Sequence, residues 1–228
     1  MKKIIRASDR FFNDYGDVKS YFLFSFANYL DPQNMSWGQL RVFNDDFIAA
    51  WAGFPTHPHR HFEIVTIMLS GTITHQDSLW NKEKIHPNEI QVTNTGKGIS
   101  HSEFNEDQED IELYQIWFSP KKEVLEPIYY TAKYQTEDFK NTLCTLVSWL
   151  APNQHSLVSD AMIQRWVFDL GRKLEIDTQH YVFLYVTSGM VQIGDMELGK
   201  RDQLRIKDEW IIQLTFLEKT EILIISTL

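Results

Sequence analysis

The chain has 228 residues, of which 43% are hydrophobic and 23% charged, a composition typical of a globular protein. Its formal net charge of -9 argues against a protein that follows nucleic-acid phosphates, because that role needs a basic surface. No apolar stretch approaches the roughly 20 residues of a membrane span. Charges at Arg6, Asp9 and Arg10 interrupt any signal-peptide core. We therefore expect a cytoplasmic protein that contacts neither membrane nor nucleic acid.

Short β-branched and aromatic runs recur along the chain with turn residues between them, a pattern that predicts strands. The clearest runs lie at residues 40–44, 63–69, 113–118 and 181–186. Helical periodicity with start and stop signals is hard to find. Many short strands at close spacing predict an all-β sandwich or barrel.

A weak internal repeat relates residues 65–73 to residues 184–193, each with an apolar strand, a small-residue turn and a returning strand. The repeat predicts two related barrels in tandem, since similar segments fold into similar units. We place the N-terminal barrel at 1–130 and the C-terminal barrel at 131–228. The join is expected within 119–140, where prolines and charges break the strand pattern.

The second half offers little metal chemistry. It contains only His155 and His180, with no His-x-His pair, so we expect its barrel to lack metal ligands. The single cysteine, Cys144, excludes an intramolecular disulfide. It lies in an apolar run and is predicted to be a small buried side chain.

Two stretches of the first half each present two metal-capable side chains at positions i and i+2, namely His57 with His59 and His101 with Glu103. Side chains at this spacing share one face of a strand. On neighbouring strands they would lie roughly 5 Å apart at Cβ. Three imidazoles and a carboxylate suit one ion of Fe(II), Mn, Co, Ni, Cu or Zn. The alternative is two unrelated pairs of surface residues.

Together with their surroundings, these stretches resemble the pirin family of two-domain cupins. The resemblance is strong over residues 20–120 and continues only as a pattern beyond them. The matching residues include His57-Pro58-His59-Arg60, Glu63, Gly71, His75-x-Asp77-Ser78, Thr95-Gly96-x-Gly98-Ile99-x-His101-Ser102-Glu103 and Gly38-x-Leu40-Arg41-Val42-x-Asn44-Asp45-Asp46.

The resemblance implies a bicupin of two jelly-roll β-barrels with one metal in the N-terminal barrel, held by His57, His59, His101 and Glu103. The metal of the family is usually iron. Several bacterial members look like quercetin 2,3-dioxygenases, which open a flavonol ring with O2 and release carbon monoxide. We therefore expect a small aromatic substrate, O2 and Fe(II), with Glu103 also accepting a substrate proton.

The resemblance leaves a second function open, because animal pirins are linked to transcription-factor regulation through protein contacts. The same ligands would serve a non-catalytic metal-bearing regulator or redox sensor that acts through a protein partner. A metal isomerase or a sugar-binding cupin is a third option. In each case the chain is expected to be a monomer.

Several nearby residues have open roles. Glu63 is the alternative carboxylate ligand, because many cupins use a glutamate at this spacing. His61 has the strand parity of the ligands, so it is either a pocket-wall residue or an ordinary loop histidine. Trp80 stands where the family usually carries glycine. The flanking aromatics are expected to form barrel core, with one or two lining an apolar cavity, and they are Phe43, Phe47, Trp51 and Phe54.

Overall fold

A computed structural model describes residues 1–121, 126–151, 156–178, 180–209 and 211–228. In this part of the chain the structure is built of strands, with two short 3₁₀ turns at Ala7–Asp9 and Thr136–Phe139. The strands in chain order are β1 (Lys2–Ile5), β2 (Phe11–Asp14), β3 (Val18–Phe22), β4 (Leu40–Ile48), β5 (Gly53–His59), β6 (Glu63–Ser70), β7 (Ile73–Asp77), β8 (Lys82–Ile85), β9 (Glu89–Asn94), β10 (Ile99–Phe104), β11 (Ile111–Phe118), β12 (Ile128–Lys133), β13 (Cys144–Ser148), β14 (Ala161–Phe168), β15 (Lys173–Asp177), β16 (Tyr181–Ser188), β17 (Val191–Ile193), β18 (Met196–Leu198), β19 (Gln203–Ile206), β20 (Ile211–Phe216) and β21 (Thr220–Thr227). The all-β prediction is confirmed. Among the described residues, no helix has the length and apolar character needed to cross a membrane.

The strands divide into two compact units whose boundaries differ from the predicted ones. One unit is Phe11–Tyr134, and the other combines Met1–Arg10 with Gln135–Leu228. The first ten residues belong to the second unit because β1 pairs antiparallel with β19. The first unit extends past residue 130 because β12 pairs with β9, inside the region predicted as a linker.

The first unit consists of two antiparallel sheets around an apolar core. Its seven-stranded sheet has the order β12-β9-β6-β11-β4-β3-β2, and its four-stranded sheet has the order β5-β10-β7-β8. Both sheets contribute to one buried cluster, with Ile48 and Met68 from the larger sheet and Ile73 and Ile85 from the smaller. Burial of such side chains from water is the main force that holds the sheets together.

The second unit repeats this architecture with a six-stranded sheet, β1-β19-β16-β21-β14-β13, and a four-stranded sheet, β15-β20-β17-β18. Its core is apolar, with Trp166 and Leu184 from the larger sheet packed with Leu214 and Phe216 from the smaller.

The second half contains three residues singled out from the sequence, His155, His180 and Cys144. His180 is exposed, and His155 lies outside the described residues. Cys144 is half-buried in β13 rather than fully buried as predicted. Burial, with Asp138 nearby, raises the pKa of its thiol to about 11, so the sulfur stays protonated at neutral pH.

The internal repeat corresponds to a real structural repeat. In each unit a long strand of the larger sheet (β6 or β16) turns into a strand of the smaller sheet (β7 or β17). The turns contain Gly71 and Gly189, whose φ angles are 70° and 83°. Only glycine adopts this left-handed region without steric cost, which explains the shared small-residue turn.

Candidate metal centre

The predicted ligands lie on two neighbouring strands of the four-stranded sheet. Strands β5 and β10 pair antiparallel, with His101 opposite His57 and Ile99 opposite His59. The i, i+2 spacing within each strand turns the side chains to the same face. The two pairs that the sequence places 44 positions apart therefore meet on one surface.

The three histidines form a tight cluster. Their ring centroids are 4.6 Å apart for His57 and His59, 4.6 Å for His57 and His101, and 4.8 Å for His59 and His101. Nδ1 of His57 donates to the carbonyl oxygen of Pro55 at 2.7 Å, which leaves its Nε2 as a lone-pair ligand. That Nε2 lies 3.2 Å from Nε2 of His101.

This geometry fits a first-row divalent metal. Two nitrogens bonded at about 2.0–2.1 Å to one ion, at angles between octahedral and tetrahedral, lie roughly 2.9–3.4 Å apart, a range that includes the observed 3.2 Å. Nε2 of His59 is buried without a hydrogen-bond partner among the described residues. A buried polar atom of this kind is costly unless something binds it, and a cation bound there would satisfy it.

Glu103 lies beside this cluster, deeper in the fold. It is fully buried; Gln115 donates to its Oε2 at 2.6 Å and Thr66 donates to its Oε1 at 3.4 Å. Its ligand atom lies within 4.8 Å of those of His101 and His75, so His101 belongs to two groups that can hold an ion. The four-ligand set therefore remains a prediction, with three histidines in one group and Glu103 in the overlapping one.

His75 entered the sequence analysis only as part of the family resemblance, without a role. Its side chain is completely buried, and its ring centroid lies 5.2 Å from that of His101. Gln91 donates from Nε2 to Nδ1 of His75 at 2.7 Å, and Nε2 of His75 donates to Asp77 at 3.2 Å. These two bonds fix the ring and engage both of its nitrogens.

Two residues with open roles lie elsewhere. Glu63 is buried at the start of β6 in the seven-stranded sheet and belongs to neither ligand group. His61 is exposed, with a φ of 61°, and its backbone N–H donates to Gly96. Of the two alternatives for His61, the loop histidine fits the structure, because β5 ends at His59 and the chain turns before reaching His61.

Burial prepares the histidines to bind a cation. Burial and, to a smaller extent, the neighbouring imidazoles together lower the pKa of His59 to about 4 and that of His101 to about 3. Both rings are thus neutral at pH 7, as metal binding requires. Burial raises the pKa of Glu103, while the neighbouring histidines act in the opposite direction.

A cavity of about 690 Å³ opens onto the cluster, and its walls include His57, His59, His101 and Glu103. Of the aromatics predicted to flank the motif, Trp51 and Phe54 line the cavity, whereas Phe43 is fully buried core and Phe47 lies outside the wall. The cavity wall also has polar side chains to which the sequence assigned no role, among them Ser20, Asn44, Asp46 and Gln115. Polar residues inside otherwise apolar strand runs were the available signal.

Asp46 gives the metal-free protein a pH dependence that can be tested. Burial raises its pKa from 3.8 to about 7, so its contribution to folding is complete below about pH 4 and is lost as the pH rises to 7. Asp46→Asn removes this dependence. After chelator treatment, we expect the variant to gain on the order of 3 kcal/mol relative to wild type between pH 4 and pH 8. Urea unfolding at several pH values measures this, and a pH-independent difference would contradict it.

Gly53 positions Glu103 through a close approach of β5 to β10. A Cβ atom at Gly53 would lie 2.7 Å from Cα of Phe104 and would also collide with the carbonyl oxygen of Glu103. The register shifts between His101 and Glu103 at this point. Gly53→Ala is therefore expected to push β10 away, to lower the melting temperature by several degrees and to weaken Ni(II) binding at least tenfold. Gly199→Ala is the control for the loss of a glycine, because a Cβ there meets nothing within 4 Å and Gly199 does not have a left-handed φ.

Comparisons with known proteins agree with this architecture. The family model described as Pirin matches residues 5–118, and the model described as Quercetinase C-terminal cupin domain matches residues 151–226. A pirin-like protein of Caulobacter vibrioides is 37% identical over 93% of this chain and 94% of its own length. A quercetin 2,3-dioxygenase of Escherichia coli is 35% identical over 96% of this chain and 95% of its own length.

A solved structure extends the similarity to three dimensions. The crystal structure of a bacterial pirin from Escherichia coli in complex with nickel(II) has a TM-score of 0.93 and 33% identity, covering 100% of this chain and 99% of that one. Together with the two family models, it confirms the predicted tandem cupin architecture. With a relative of this identity matched over nearly its whole length, the chain belongs to the pirin family.

Proposed function

We propose that this protein is a metal-dependent dioxygenase that opens the ring of a flavonol such as quercetin with O2. The observation that carries the proposal is the cavity that leads from solvent to the three histidines and Glu103. Its volume of about 690 Å³ lies within the range of roughly 300–1,000 Å³ usual for pockets that enclose a small organic ligand. The names of the relatives support the same class of reaction.

His57, His59, His101 and Glu103 would hold the ion, for which we propose Fe(II). A divalent ion held by these residues would supply Lewis acidity toward the substrate oxygen. Glu103 is the residue we assign to accept the proton of the substrate hydroxyl, because its carboxylate lies at the buried end of the cavity. Flavonol and O2 together account for the products, a ring-opened ester and carbon monoxide, without a further co-substrate.

The test is oxygen uptake and carbon monoxide release with quercetin and Fe(II)-loaded protein, against a protein-free control for autoxidation. Wild type is expected to consume one O2 for each carbon monoxide released, and His57→Ala to lose this activity. His61→Ala, which removes an exposed histidine outside the cavity wall, should behave as wild type. Bound metal without uptake would contradict the proposal and favour a regulator or redox sensor that acts through a protein partner.

A further inference from the structure

The side chain of Trp51 lines the cavity at its solvent end. The residue is 62% exposed, whereas the metal-capable residues His101 and Glu103 at the other end are 2% exposed. Tyr15 (57% exposed) and Phe104 (39% exposed) also line the cavity. Large aromatic side chains are normally withdrawn from water, so an exposed group of them around an opening marks a place where a ligand binds.

The backbone of Trp51 is held in an unfavourable conformation. Its φ is 61°, in the left-handed region that bulky residues rarely adopt. Such strain persists where the surrounding structure fixes it, most often at functional sites.

The surroundings of Trp51 fix the turn from both sides. The buried Asn105 donates from Nδ2 to the carbonyl oxygen of Ala49 at 3.0 Å. Its backbone N–H donates to the carbonyl oxygen of Ala52 at 2.8 Å. Asp110 accepts the N–H of Ala50 at 3.0 Å. The indole is thus presented from a rigid support, which lowers the entropy cost of stacking on it.

Trp80 is the internal comparison for Trp51, because it is also exposed and also has a left-handed backbone. It too has a left-handed φ, 71°, and it is 93% exposed. It lies in the turn after β7, outside the cavity wall. Both residues are therefore exposed tryptophans with a left-handed backbone, and only Trp51 borders the cavity.

We propose that Trp51 is the platform on which the outer aromatic ring of the substrate stacks, while the substrate oxygens point inward to the metal ligands. The proposal rests on the proposed function, since it assumes a flat aromatic substrate whose reacting end lies at the buried end. Trp51 would then set substrate preference by aromatic contact area, without taking part in the chemical steps.

The test is anaerobic calorimetric titration of quercetin into Zn(II)-loaded protein, so that binding is measured without turnover. We expect Trp51→Ala and Trp51→Gly to raise Kd about fivefold to tenfold, and Trp51→Phe to stay within about twofold of wild type. The glycine variant accommodates the left-handed backbone, so agreement between it and the alanine variant assigns the loss to the ring. Trp80→Ala is the matched control and should bind as wild type.

The outcomes distinguish this proposal from the dioxygenase assignment. Unchanged binding in Trp51→Ala and Trp51→Gly, or an equal loss in Trp80→Ala, overturns the platform even if oxygen uptake is found. Loss of binding confined to Trp51 supports the platform even if the Fe(II) protein consumes no O2, which would overturn the dioxygenase alone. Failure of wild type to bind quercetin overturns both.

Discussion

Replacing His101 with alanine is expected to lower Ni(II) affinity by about a hundredfold or more. His101 belongs to both ligand groups and is almost fully buried. Apparent metal affinities of about 10–16 kcal/mol shared among four ligands give roughly 3 kcal/mol for each, which is about two powers of ten in Kd. Competition titration against a chelator of known affinity measures the change.

His61→Ala is the control for this substitution, because His61 is exposed and lies outside both ligand groups. The Ni(II) affinity of the His61→Ala protein should stay within about twofold of wild type. Circular dichroism of each metal-free variant checks that the fold is kept, since removing a buried ring also leaves a cavity. Wild-type affinity in a folded His101→Ala protein would exclude His101 as a ligand.

Glu103→Gln is expected to reduce turnover of quercetin by at least about a hundredfold while changing its Kd by less than about fivefold. The amide nearly matches the carboxylate in shape but cannot accept the substrate proton, and general-base catalysis is typically worth a factor of about 10²–10⁴. The residue is buried beside Gln115 and Thr66, both of which can still pair with the amide. Steady-state oxygen uptake at saturating Fe(II), with anaerobic quercetin titration, separates the two effects.

Glu63→Gln is the matched control, since Glu63 is the other candidate carboxylate and is equally buried, but lies on β6 outside the cavity wall. It should keep turnover within about threefold of wild type, provided that it folds. Full activity in metal-loaded Glu103→Gln would show that Glu103 is not the base. A large loss in Glu63→Gln alone would return the role to Glu63.

Much of the histidine arrangement was predictable, because it depends on local rules. The alternation of side chains along a strand places His57 with His59 on one face, and pairing of two such strands brings His101 beside them. The same rule does not extend to His61, where the chain leaves the strand in a left-handed turn. Side-chain alternation therefore predicts the orientation only of residues that lie within the strand.

The remaining features depend on contacts between distant parts of the chain. The pairing of β1 with β19 joins residues about 200 positions apart, and no local pattern predicts it. The shift of register before Glu103 and the close approach of Gly53 beside it are not revealed by the spacing of the ligands. His75 is brought to the cluster by the pairing of β7 with β10.

The position of a bound ion tests the central claim most directly. Crystals of the protein loaded with Ni(II) would be measured at the nickel absorption edge, where the anomalous difference map locates the metal. We predict a single peak among His57, His59 and His101, with Glu103 completing the protein ligands. A peak bound only by His75 and Glu103, or none near the three histidines, would contradict this metal site and the dioxygenase built on it.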